Sequence, residues 1–114
     1  NTHGTSTGLG DIAEPKAVLK AFGDHAYKIA LNSTKSMTGH LLGAAGALES
    51  MATIRALSDQ IIPPTINFKE LDENIDDKFD IVFNKAQKRD IKVAMTNNFG
   101  FGGHNATILF KKAE

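Results

Sequence analysis

Three short stretches of this sequence hold side chains able to move protons or steady negative charge. They are His3-Gly4-Thr5-Ser6-Thr7, Ser33-Thr34-Lys35-Ser36-Met37-Thr38-Gly39-His40 and Asn97-Asn98-Phe99-Gly100-Phe101-Gly102-Gly103-His104-Asn105. Taken singly, each has an ordinary reading. His3 beside hydroxyl residues is more often a hydrogen-bonded structural histidine, His40 a polar residue near a helix start, and Lys35 a surface lysine. The Phe99–Gly103 run matches a phosphate-cradling loop weakly, because no P-loop lysine follows and its flanks read strand–strand. Nucleotide binding is set aside on that ground. His40 is more specific. It stands at the start of a helix beginning at Leu41, with Thr38 as a candidate N-cap. The positive end of a helix dipole disfavours an imidazolium there. A neutral ring can donate one N–H to a developing oxyanion. Lys35 would reinforce that field if it pointed inward. A buried lysine then needs a carboxylate, and Glu49, an anion among small and apolar residues, is the candidate.

The elements that must position these groups alternate between helical and extended patterns, which favours an α/β layered fold. Asp11–Phe22 reads as a helix capped by Asp11, with Glu14 three residues on and Gly23 ending it. Pro15 conflicts with any earlier start near Gly8. Tyr27–Leu31 reads as a strand. Leu41–Leu57 is the clearest helix, and Gly43-Ala44-Ala45-Gly46-Ala47 in its first half suggests a helix buried between layers. Pro63-Pro64 stops regular structure, and the acidic stretch 67–80 reads as a solvated connection. Ile81–Phe83, Ile91–Thr96 and Ala106–Phe110 are strand candidates, the last two flanking the glycine-rich loop.

Composition narrows the class. At 114 residues and 41% hydrophobic, the chain is one domain or part of one. Thirteen basic residues balance thirteen acidic ones, which argues against a nucleic-acid surface built on bulk charge. No apolar run approaches the roughly 18 residues of a membrane span. Asn1-Thr2-His3-Gly4 does not open a signal peptide, and the missing initiator Met suggests a chain cut from something longer. Without cysteine there are no disulfides and no thiolate metal sites.

The three stretches, together with Gly10-Asp11-Ile12-Ala13-Glu14 and Pro63-Pro64-Thr65-Ile66-Asn67, resemble in order the C-terminal motifs of the elongating β-ketoacyl-acyl carrier protein synthases, closest to the type II enzymes of fatty-acid synthesis. The resemblance implies a thiolase-like α/β fold of five αβαβα layers. Residues 1–114 would form one C-terminal domain, a mixed five-stranded sheet with helices on both faces. It implies decarboxylative condensation of malonyl-acyl carrier protein with an acyl-enzyme, with no cofactor and no metal. The partners implied are acyl carrier protein and a second copy of the enzyme, with neither nucleic acid nor membrane. The location implied is the cytoplasm, or a plastid or mitochondrion. Carried over residue by residue, His3 and His40 assist decarboxylation, Lys35 accompanies them and Glu49 is its acidic neighbour. Phe101 supplies an oxyanion-hole N–H and gates the acyl pocket. Phe99, Gly100, Gly102 and Gly103 complete the gate loop. His104 stands where Thr is more usual, and Gly8 where Pro is common. The family's nucleophilic cysteine falls outside these residues. A non-catalytic partner of the same fold, resembling a chain-length factor, therefore stands as an alternative, as does a polyketide-type ketosynthase. A freestanding carrier-binding module would rest on Lys85, Lys88, Arg89 and Lys92, a cluster that more often marks a solvated face.

Overall fold

The computed structural model describes residues 1–113. Helix α1 spans Gly8–Phe22. Thr7, in extended conformation, caps it by accepting a hydrogen bond from Gly10 N at 3.3 Å. The expected start at Asp11 is thus one turn late. Asp11 lies inside the first turn and accepts from Ser6 N at 3.2 Å, while Glu14 plays no part in a capping box. Pro15 therefore lies within the helix, where it removes one donor and crowds the Asp11 carbonyl. Its burial alongside Glu14 and Val18 offsets that local penalty. Gly23, at φ 55°, closes the helix with its N–H on Leu19 O.

A 3₁₀ segment, Gly23–Lys28, takes up the first part of the expected Tyr27–Leu31 strand, leaving Leu31 to bridge Ile81 in parallel. Val18, Ala26, Leu31 and Phe79 form the core beside it. Phe79 belongs to the acidic stretch, so residues 67–80 are more than a solvated connection. Its ring centroid lies 5.1 Å from that of Tyr27, whose hydroxyl donates to Asp76 at 2.9 Å.

The next helices divide the second motif differently from expectation. The one-turn helix α2 spans Lys35–Thr38, a 3₁₀ turn covers Leu42–Ala44, and α3 spans Ala45–Asp59. Thr38 ends one helix instead of capping the next, and its hydroxyl donates to Thr34 O. The buried stripe of α3 is Ala45, Glu49, Thr53 and Leu57, every fourth residue, as a single packed face requires. Met51 and Ile54 are exposed on the other side. Among the described residues, then, α3 is covered on one face and not between two layers. Gly46 leaves only ordinary van der Waals space toward Asn98, and Gly43 is open.

The expected five-stranded sheet is also revised. Among the described residues, ladders form only between β1 (Ile61–Ile62) and β2 (Gln87–Lys88), and between β3 (Val93–Phe99) and β4 (Asn105–Lys111), both antiparallel. The other extended segments join at single positions. Asn97 N donates to Asn1 O, and Asn1 N to Met95 O. Thr2 N donates to Asn32 O, and Val82 N to Leu31 O. Leu31–Ile81 and Thr65–Phe83 are isolated parallel bridges. The spatial order β4, β3, residues 1–2, residues 31–32, residues 81–83 is continuous, but one or two bonds per junction do not make a ladder.

Candidate active site

The first motif is fixed from below by a carboxylate. Glu14 is 3% exposed and accepts three hydrogen bonds: His3 N at 2.9 Å, Gly4 N at 3.1 Å and Asn97 Nδ2 at 3.2 Å. These donors satisfy an anion that burial would otherwise penalise. Gly4 has φ +31°, and a Cβ there would come within 2.7 Å of the Ser33 side chain. Ser33 Oγ donates to Gly4 O at 2.8 Å, so the first and second motifs are pressed backbone to side chain.

That anchoring places His3 and His40 together, with ring centroids 5.3 Å apart and planes at 87°. Phe99 lies 5.4 Å from His3 on another side. Phe99 N donates to His3 Nδ1 at 3.2 Å, and Leu42 N donates to His40 Nδ1 at 3.1 Å. A ring nitrogen that accepts a backbone N–H carries no proton. In the neutral ring the proton then sits on Nε2, so both histidines present Nε2–H as a donor. Leu42 reaches His40 from φ 52°, a left-handed conformation that is unusual for a non-glycine residue and concentrates at functional sites.

His40 lies before the 3₁₀ turn and a full turn ahead of α3. The expected effect of a helix dipole on its ring is therefore absent, because that field falls off within the first turn. At His3 the field of the site acts directly: burial first, then the Lys35 ammonium, lower its pKa from 6.5, with His40 adding and Glu14 opposing.

Lys35 is 7% exposed and Glu49 2%. Lys35 Nζ and Glu49 Oε1 form a buried ion pair linking α2 to α3. The second carboxylate oxygen accepts from Asn98 Nδ2 at 2.8 Å. Phe101 sits in the turn between β3 and β4 and is 99% exposed. Gly102 and Gly103, at φ 79° and 83°, make that turn, and Gly100 N closes it on His104 O at 2.8 Å. Beside His40 opens a cleft of about 800 Å³, lined in part by Thr5, Thr7, Ser36, Ile66 and Phe83.

His3 and His40 thus meet directly, Lys35 and Glu49 meet each other behind them, and Phe99 joins the group through backbone and ring. Phe101, Gly100, Gly102 and Gly103 occupy the loop that follows Phe99. The sequence reading missed Glu14, Asn97 and Asn98 as supports. For Glu14 a signal existed, since it shares the i, i+4 face of Val18 that the helical pattern buries. For the two asparagines, adjacency at the end of a strand gave no cue to which carboxylates they hold.

With this geometry in view, comparison with known proteins defines the class. The chain aligns over its full length with a type II polyketide ketosynthase solved in complex with its acyl-carrier protein, at 36% identity and TM-score 0.93, covering 28% of that chain. A β-ketoacyl synthase from Burkholderia phymatum aligns with 98% of the chain at 38% identity and TM-score 0.89, covering 26% of its own length. The family model "Beta-ketoacyl synthase, C-terminal domain" matches residues 1–69, and the chain belongs to that family.

Among curated relatives it is 52% identical over 112 residues to 3-oxoacyl-[acyl-carrier-protein] synthase 2 of Coxiella burnetii. It is 49% identical over 114 residues to the protein of that name from Staphylococcus aureus strain COL. The chain spans about 27% of the length of each. No helix among the described residues is long and apolar enough to cross a membrane.

Proposed function

We propose that this chain supplies the malonyl half-site of a 3-oxoacyl-acyl carrier protein synthase acting in fatty-acid elongation. One observation carries the reading: two imidazoles in edge-to-face contact each accept a backbone N–H on Nδ1, which leaves each neutral ring with Nε2–H as its donor. A malonyl thioester that loses CO₂ leaves its bonding pair on the thioester as an enolate. Two fixed donors at that oxygen stabilise the charge as it forms. The enolate carbon then attacks the thioester carbonyl of an acyl-cysteine supplied by another part of the protein. A carbon–carbon bond forms, and the thiolate leaves. Lys35, held by Glu49, adds positive potential behind the histidines.

In the complete protein the joined extended segments become one mixed five-stranded sheet, within the five layers of a thiolase fold. The enzyme works as a homodimer in the cytoplasm on acyl and malonyl groups presented by acyl carrier protein. Phe101 gates the acyl pocket and contributes its backbone N–H to the oxyanion hole.

The test is production of β-ketoacyl-acyl carrier protein by the full-length enzyme from acyl and malonyl carrier proteins. The 114-residue chain alone is expected to give none, having no thiol to hold the acyl group; product from this chain alone would contradict the reading. Phe101→Ala in the full-length enzyme is expected to leave the fold intact, since changing so exposed a side chain shifts stability by about 0.5 kcal/mol or less. Relative rates across acyl chain lengths should change. A sharp fall in melting temperature with unchanged selectivity would show instead that the ring is packing.

A further inference from the structure

Two consecutive asparagines near the end of β3 each donate to a different buried glutamate. Asn97 Nδ2 lies 3.2 Å from Glu14 Oε1 and Asn98 Nδ2 lies 2.8 Å from Glu49 Oε2. Successive residues of a strand point to opposite faces, so one dipeptide reaches carboxylates on both sides of the sheet. Glu14 holds the backbone of His3 and Gly4, and Glu49 holds Lys35. The next residue along, Phe99, gives its N–H to His3.

We infer that Asn98 is a positioning residue for the malonyl half-reaction: it clamps Glu49 so that Lys35 stays aimed behind the two histidines. The inference rests on the function proposed above. A carboxylate with two oxygens can rotate about its terminal bond, and one ion pair to Lys35 fixes only one of them. The Asn98 amide fixes the other. Its side chain lies along α3, where a Cβ on Gly46 would meet it at ordinary contact distance, 3.7 Å from Nδ2. Glu49 is faced by Lys35 from α2, by Asn98 from β3, and by the side-chain amide of Asn1 at its backbone carbonyl. His3 feels its charge across the site. Removing the Asn98 donor leaves that buried carboxylate oxygen unpaired and the carboxylate free to turn, which loosens its hold on Lys35.

The test uses the full-length enzyme, measuring malonyl-thioester decarboxylation against cysteine acylation for the parent, Asn98→Leu, Glu49→Gln and the double variant. The ratio of decarboxylation to acylation is expected to fall on the order of 10- to 100-fold in Asn98→Leu, the scale of a misplaced catalytic group. The loss should fall on kcat for decarboxylation, with KM for the malonyl substrate little changed. The double variant should be no worse than Glu49→Gln, because both act through one carboxylate. If Asn98→Leu does not fold, Asn98→Ala removes the donor without adding bulk. An unchanged ratio, or losses that simply add in the double variant, would overturn the inference. A parent enzyme that decarboxylates no malonyl thioester would instead overturn the proposed function.

Discussion

Replacing either His3 or His40 by alanine in the full-length enzyme is expected to abolish malonyl decarboxylation while cysteine acylation largely survives. Each change removes one of two Nε2–H donors, and losing one oxyanion donor slows a reaction on the order of 100-fold or more. Acylation needs no charge built up at the malonyl carbonyl, so it should be spared. The two variants differ in structure. His3 is half-buried and ties the first motif to β3 through Phe99 N, so His3→Ala also leaves that N–H without its partner. His40 is exposed, so His40→Ala should retain parental stability. Decarboxylation and acylation are separable by following CO₂ release and acyl-enzyme formation independently. Near-normal CO₂ release in both variants would show that the histidines serve another purpose.

The second large effect is at the ion pair. Lys35 and Glu49 are both nearly sealed from solvent. Truncating one partner strands the other as a buried charge, at about 3–5 kcal/mol. Glu49→Ala and Lys35→Ala should therefore each lower the melting temperature strongly. The double variant Lys35→Met, Glu49→Leu removes both charges together and should recover most of that stability, since apolar pairs of similar volume replace buried ion pairs well. It should not recover decarboxylation, because the positive potential behind the histidines is gone. Single variants that melt like the parent would mean the pair is solvated in the complete enzyme. A double variant with parental decarboxylation would mean Lys35 is structural only.

How much of this was legible in the residues depends on which physical signal each carried. The hairpin β3–β4 announced itself through two β-branched runs around glycines, and its observed limits lie within three residues of those expected at each end. The Lys35–Glu49 pairing followed from a simple requirement, that a lysine turned inward must meet an anion. Helix starts were less readable. Asp11 and Thr7 are both competent caps, and it is Thr7 that takes the role by accepting from Gly10 N. The start of α3 was misplaced because Leu42, at φ 52°, breaks the helix in a way no propensity for leucine signals. That break is what turns its N–H onto His40. The five-stranded sheet was expected from the family resemblance, but outside the two ladders its junctions are one or two hydrogen bonds set by long-range pairing, which local sequence does not encode.

The tautomers of His3 and His40 are the centre of the account, and ¹⁵N chemical shifts of the imidazole nitrogens in the full-length enzyme read them directly. At pH above 7 both residues should show a protonated Nε2 and an unprotonated Nδ1. On acidification His3 should titrate below its ordinary value of 6.5, since burial and Lys35 oppose its charge. Folding stability linked to His3 should be full above that value and fall as pH drops through the window beneath it, where the unfolded chain takes up the proton first. A proton on Nδ1 of either ring at neutral pH would contradict the paired-donor site.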